Sequence, residues 1–193
     1  MHAWQRTGFF GGHVALDFVN TVNDEGKTRD RDALPDWPIA VAWAVEAEVI
    51  TTTEAEALAE VSDADRALGD LVAFREAVWR LLSAVAGDAA PAPEDARAVS
   101  AVIAGAHGLA ALGIESRVAR WRIGLDRAGA DLIRARLALT LAALLASPEL
   151  ARVRECGRCT GLYLDHGRGR GRRWCRMSGC GNRAKAERFR ARA

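Results

Sequence analysis

Cysteine is scarce in this 193-residue chain: there are four, and none occurs before residue 156. Aromatic residues are few as well, at 6%, with Tyr163 the single tyrosine. No charged segment followed by an apolar run opens the sequence, so no export signal is legible. The longest apolar run, Leu137 to Ala146, is interrupted by Thr140 and falls far short of the ~20 residues a membrane span needs. A cytoplasmic protein without membrane contact is expected, and disulfides are therefore not expected. No phosphate-binding loop, nucleophile or catalytic-metal spacing accompanies His13 and Asp17, four residues apart, so no enzyme is expected. Acids are nearly missing from one region. Residues 151–193 hold 13 Lys and Arg against Glu155, Asp165 and Glu187, a net +10, whereas residues 1–150 hold 14 cations against 22 acids, a net −8. Such a division points to a basic module for a polyanion, attached to a mildly acidic body.

What is present suffices for a buried core, since half the residues are hydrophobic. The richness in Ala, Arg and Gly fits a GC-rich bacterial genome. Leu16, Val19 and Val22 stand at helical spacing in 15–22, and Pro35 and Pro38 mark a turn before the apolar segment 38–50. The clearest helix starts near Asp65, with a stripe of Leu71, Phe74, Val78, Leu81, Leu82 and Val85. A loop over 87–95 precedes a weaker helix with Val99, Val102 and Ile103. Between 118 and 125 the period becomes two, predicting a strand with Ala119, Trp121, Ile123 and Leu125 on a buried face, paired with residues near 108–115. Gly129 precedes a helix whose stripe is Ile133, Leu137, Leu141 and Leu144. Ser147-Pro148 then begins a boundary. The expected fold is a mainly α domain with a small β-hairpin (α+β) over 1–147. A small four-cysteine zinc finger with a terminal helix follows over 152–193.

The cysteines read Cys156-x2-Cys159-x15-Cys175-x4-Cys180. Two close pairs separated by an excursion are the spacing of a structural Zn²⁺ site, in which four thiolates complete a tetrahedron. His166 lies in the excursion, where four thiolates leave it no ligand role. Zinc removal is expected to unfold residues from about 152 onward and to leave the helical body folded.

Cations surround these ligands. Arg168, Arg170, Arg172 and Arg173 occupy the excursion, and Arg176 lies between the last two cysteines. Ser178 reads as the N-cap of a helix through about Arg192. Lys185, Arg188 and Arg192 share one stripe of it, suited to phosphates, and Asn182, Ala186 and Phe189 share a second, apolar one facing the zinc core. Asn182 and Arg183 near its start are chemically able to read adenine and guanine edges, Asn182 being equally suited to a local backbone bond. Duplex DNA is the expected partner. A protein-interaction module and an RNA binder are the alternatives, although Trp174 alone makes a poor stacking platform for single strands.

The run from Cys156 to Arg192 resembles the CGNR zinc-finger family, whose Cys-Gly-Asn-Arg stands here at Cys180, Gly181, Asn182 and Arg183. The first CxxC, Tyr163-x-Asp165, Arg172-Arg173-Trp174-Cys175 and Lys185 also match. The N-terminal part resembles the partner domain of that family, ABATE, through "GGHVALDFVNTV", the Arg-Asp run near Asp30, and Trp43. Where the family loop commonly has Ser or Asn, this chain has His166, Gly167, Gly169 and Gly171. The resemblance implies a bacterial, stress-induced transcription regulator with a zinc-dependent DNA-binding C-terminus. The N-terminal domain is expected to bind a small-molecule effector or to form a homodimer. Asp17 and Asn20, on one face of an apolar helix, either bridge neighbouring backbone or line an effector pocket.

Overall fold

Each helix starts where local chemistry allows it. The computed structural model describes residues 8–22, 26–167 and 171–191. Within them α1 spans Val14–Val19, α2 Trp37–Glu46, α3 Thr52–Ala59, α4 Ala64–Ala86 and α5 Pro93–Leu109. Further on come α6 (Leu125–Ala128), α7 (Leu132–Leu145) and α8 (Asn182–Arg190). His13 Nδ1 accepts from Ala15 N–H at the start of α1, and Asp36 from Ile39 N–H at the start of α2. Thr51 and Glu54 form a reciprocal capping box on α3. Pro93, whose missing N–H costs nothing in a first turn, opens α5, so the loop expected over 87–95 is shorter than the sequence suggested. No helix among the described residues is long and apolar enough to cross a membrane.

The stripes on α4 and α7 make the core. Leu71, Phe74, Val78, Leu81 and Leu82 pack with Ile133, Leu137, Leu141 and Leu144, all buried. Leu16, Phe18 and Val19 of α1 and Trp43 of α2 fill the space between, with the Phe18 and Trp43 rings 5.6 Å apart. Each such side chain contributes roughly 1.5–3 kcal/mol by leaving water. Val22 is buried beyond the end of α1, in a β-bridge to Asp32 rather than in the helix. Beside it Arg75, 2% exposed, donates to both oxygens of Asp32 and to Thr21. Arg29 lies over the Trp79 ring at 4.4 Å and pairs with Glu76 at 2.7 Å.

Two antiparallel hairpins complete the fold. β1 (Ala111–Glu115) pairs with β2 (Val118–Arg122), and β3 (Val153–Glu155) with β4 (Leu162–Leu164). The first hairpin lies where the change of period placed it, but its buried face is absent: every residue of β2 is exposed. The strand ends at Arg122, Ile123 alone of the alternating set is buried, and Leu125 begins α6. The hairpin stands off the body, so alternation recorded two chemically different faces without recording burial. In the second hairpin Val153, Leu162 and Leu164 belong to the main core.

Candidate metal centre and its cationic rim

Backbone geometry gathers the four cysteines. Cys156 N–H donates to Gly161 O at 2.9 Å, closing residues 156–161 into a tight turn, and Gly161 N–H points at Cys159 Sγ at 3.4 Å. Gly157 N–H donates to Arg173 O, which draws the second pair alongside. A Cβ on Gly157 would stand 3.2 Å from the Trp174 ring, so glycine permits that approach. Arg176 is extended, and Met177–Gly181 then forms a wide turn with Gly181 N–H donating to Arg176 O, five residues back, at 3.0 Å. This π-type turn replaces the Ser178 cap expected from the sequence, and it brings Cys180 to the other three sulfurs.

All four sulfurs are buried and lie within 4.8 Å of one another. Cys159 to Cys175 and Cys175 to Cys180 are each 3.7 Å apart. Regular tetrahedral zinc with Zn–S near ~2.3 Å needs sulfurs about 3.8 Å apart, so the donor set fits. Charge supports the same reading. Hydrogen bonds from Cys159 and then Cys175 hold the Cys156 thiol far below the usual range. The bond to Cys156 raises Cys159, and the same interaction with burial pushes Cys175 up to about 12; burial raises Cys180. Crowded thiols cannot all ionise beside one another; a divalent cation allows it, and the site leaves no position open for catalysis. His166 lies apart, 3.0 Å from Arg152, in the surface loop.

The centre is fastened to the helical body. Cys156–Gly161 and Arg152–Asp165 bond across the second hairpin, so Leu162 and Leu164 turn their backbone groups outward. Asn20 takes both groups of Leu162: Nδ2 donates to Leu162 O and Oδ1 accepts from Leu162 N–H, each at 2.8 Å. Leu164 N–H donates to Gly11 O, Trp79 Nε1 to Thr160 O, and Ser83 to Glu155. Asp17 accepts from Phe10 and Gly11 N–H at 2.8 Å, although burial pushes its carboxyl above the ordinary range. Both candidate effector ligands are thus occupied in bridging backbone.

The cations named from sequence divide. Arg172 stacks 4.1 Å over Tyr163 and donates to Leu164 O, while Asp165 accepts from Arg172 and Gly167 N–H and so ties the ends of the excursion. Arg176 lies over Phe10 at 5.1 Å. Arg172 is thus tied to the module's own framework, and Arg176 to the N-terminal segment. Arg172 is nonetheless exposed, as are Arg173, stacked over Trp174 at 4.8 Å, and Asn182, Arg183, Lys185 and Arg188. Arg168, Arg170 and Arg192 lie outside the described residues. Sequence reasoning passes over two charged residues: Arg190, exposed on α8, and Arg158, whose guanidinium grips Glu187 at 2.6 Å and pins α8 to the first turn. The expected apolar stripe of α8 does not face the metal. Ala184 is its buried residue, and Phe189 is 76% exposed.

Four buried cysteine sulfurs on a hairpin turn and on the segment that leads into a short helix, set against a helical body, define a zinc-finger protein with a structural metal. The matching families are specific. Residues 12–148 match ABATE, described as "putative stress-induced transcription regulator", and residues 152–193 match the CGNR zinc finger. The chain belongs to the ABATE family and carries a CGNR zinc finger. These are families of regulator and zinc-finger type, not of enzymes. A comparison with curated proteins found no match.

Proposed function

We propose that this protein is a zinc-dependent transcription regulator whose C-terminal module binds duplex DNA. The N-terminal domain governs that binding, through a small effector or by pairing two chains. The observation that carries the reading is the cationic rim of the metal centre: Arg173, Lys185, Arg188 and Arg190 are exposed around a helix pinned by Arg158 and Glu187. Lysine and arginine on a metal-organised scaffold neutralise phosphates, and the start of α8 offers Asn182 and Arg183 to base edges. One Zn²⁺ would be held by Cys156, Cys159, Cys175 and Cys180. Electrophoretic shifts of a short duplex at two salt concentrations, with and without chelator, test the reading. Zinc-loaded protein that binds no duplex at low salt refutes it.

Phe189 and Met177, 76% and 63% exposed among these cations, favour a second reading, in which the same face docks a protein. An unrelated acidic protein and a single strand as competitors separate the two.

A further inference from the structure

A hollow of about 600 Å³ opens between the end of α2, α7 and the end of the first hairpin, a size that suits a small organic molecule. Val14, Val49, Ile123 and Leu139 give it apolar walls, and Trp121 closes one side, with His107 edge-on to the ring at 6.1 Å. Polar groups line it too, and the fold already uses most of them. Thr51 shares its capping box with Glu54, and the Thr140 hydroxyl donates to Arg136 O. The Arg136 guanidinium donates to Ile123 O, Val49 O and both Glu54 oxygens. The other charged groups of the lining are Glu48 and Arg122, one of each sign and both exposed.

Glu48 holds its place against local preference. It follows α2 with φ 56°, its N–H donating to Val45 O while Val49 N–H donates to Ala44 O. Glycine favours this left-handed position at a helix end, because a Cβ there crowds the following carbonyl. Glutamate lacks the short polar side chain with which Asp and Asn offset that crowding. Among the described residues nothing pairs with the Glu48 carboxylate. The helix ending therefore gives no reason for a glutamate, whereas a cationic group in the hollow does.

We propose that this hollow binds a small zwitterion with an apolar side chain, a free amino acid or a dipeptide. Its ammonium meets the Glu48 carboxylate, and its carboxylate meets Arg122, whose five N–H donors serve more than one acceptor. Its side chain packs against Trp121, Ile123 and Leu139. A ligand of one charge would face a like charge on one of these two groups, and a zwitterion answers both. The site also has a route to the metal module. Val14, in its wall, opens α1, and Asn20, at the end of α1, holds Leu162 next to the first cysteine turn. The inference rests on the effector reading proposed above, and its test uses no DNA, so loss of this site and loss of DNA binding are told apart.

Melting of the full-length, zinc-loaded protein with L-phenylalanine, L-leucine or leucyl-phenylalanine decides it, with calorimetric titration for the Kd. A ligand at about a hundred times its Kd should raise the melting temperature by roughly 5–10 °C, and a response to the dipeptide alone makes a peptide the source. Phenethylamine and phenylpropionate, each lacking one charge, should bind about tenfold more weakly or worse. Glu48→Gly should bind about tenfold more weakly or worse yet melt roughly 2–4 °C higher, because it relieves the left-handed backbone, so the lost binding is not lost folding. Glu48→Gln should lose the same affinity without that rise. No response to any of the three ligands overturns the proposal. An amine or acid that binds as tightly as the zwitterion overturns it too, as do Glu48 variants that match the wild type in affinity.

Discussion

Replacing Asn20 by alanine should loosen the joint between the zinc module and the helical body. Asn20 is 6% exposed and Leu162 fully buried, so water has no ready access to the two backbone groups that the amide serves. The antiparallel pattern turns the N–H and C=O of Leu162 away from β3, and Asn20 supplies both partners at 2.8 Å. Each buried group left unpaired costs about 1–3 kcal/mol. The two groups together cost about 2–6 kcal/mol, which for a chain of this length lowers the melting temperature by roughly 4–24 °C. Differential scanning calorimetry of zinc-loaded protein measures it, with metal content as a control that should remain at one equivalent. Asn20→Asp refines the test. It keeps an acceptor for Leu162 N–H but sets a carboxylate oxygen against Leu162 O, and protonation would restore a donor. Its deficit relative to the wild type should therefore shrink as pH falls. A drop of less than about 2 °C in Asn20→Ala would show that the amide bonds contribute little beyond what water supplies, and would refute the reasoning.

Zinc removal should lower the melting of the helical body as well as that of residues beyond 152, because Val153, Leu162 and Leu164 share its core. Circular dichroism after chelation checks this, and an unchanged helical transition would restore the expectation of an independent body. Lys185→Ala and Arg188→Ala should weaken binding to all duplexes and make the slope of log K against log salt shallower by about 0.9 for each phosphate no longer neutralised. Slopes equal to the wild type would remove α8 from the interface. The Arg136 hydrogen bonds, foremost among its causes, hold Glu54 below the ordinary carboxylate value of 4.5. Its contribution to stability is thus present above that value and lost as pH falls through the lower folded value. Glu54→Gln should lose less stability than the wild type over that interval, and parallel pH–stability curves would exclude the assignment.

Long amphipathic elements are legible because their chemistry is periodic. The stripes of α4 and α7 are the core, and the four cysteines meet as their spacing requires. Helix α3 escapes a reading by periodicity although Thr51 and Glu54 spell its capping box, since its eight residues bury Leu58 alone. The exposed hairpin shows the opposite failure. Trp121 and Ile123 follow the same alternation, yet one is 55% exposed and the other buried, because burial depends on where the ribbon leaves the body. Asn20 illustrates a third kind. Its partner lies 142 residues away, so its polar character in an apolar helix is visible in the sequence and its purpose is not.

The cations mark the limit most sharply. Arg172 and Arg173 are adjacent, chemically identical and both exposed, yet the first stacks on Tyr163 and donates to Leu164 O while the second stacks on Trp174. On α8 the spacing shows which residues share a stripe but not which stripe is buried, and Ala184, outside the expected apolar stripe, is the residue that the fold buries. Phe189 is 76% exposed, and Arg158, in the first cysteine turn, fixes the helix through Glu187. Metal ligands resist such shifts, because a Zn²⁺ ion accepts only one arrangement of four sulfurs. Surface cations have no comparable constraint, so their roles are set by the framework that the metal imposes.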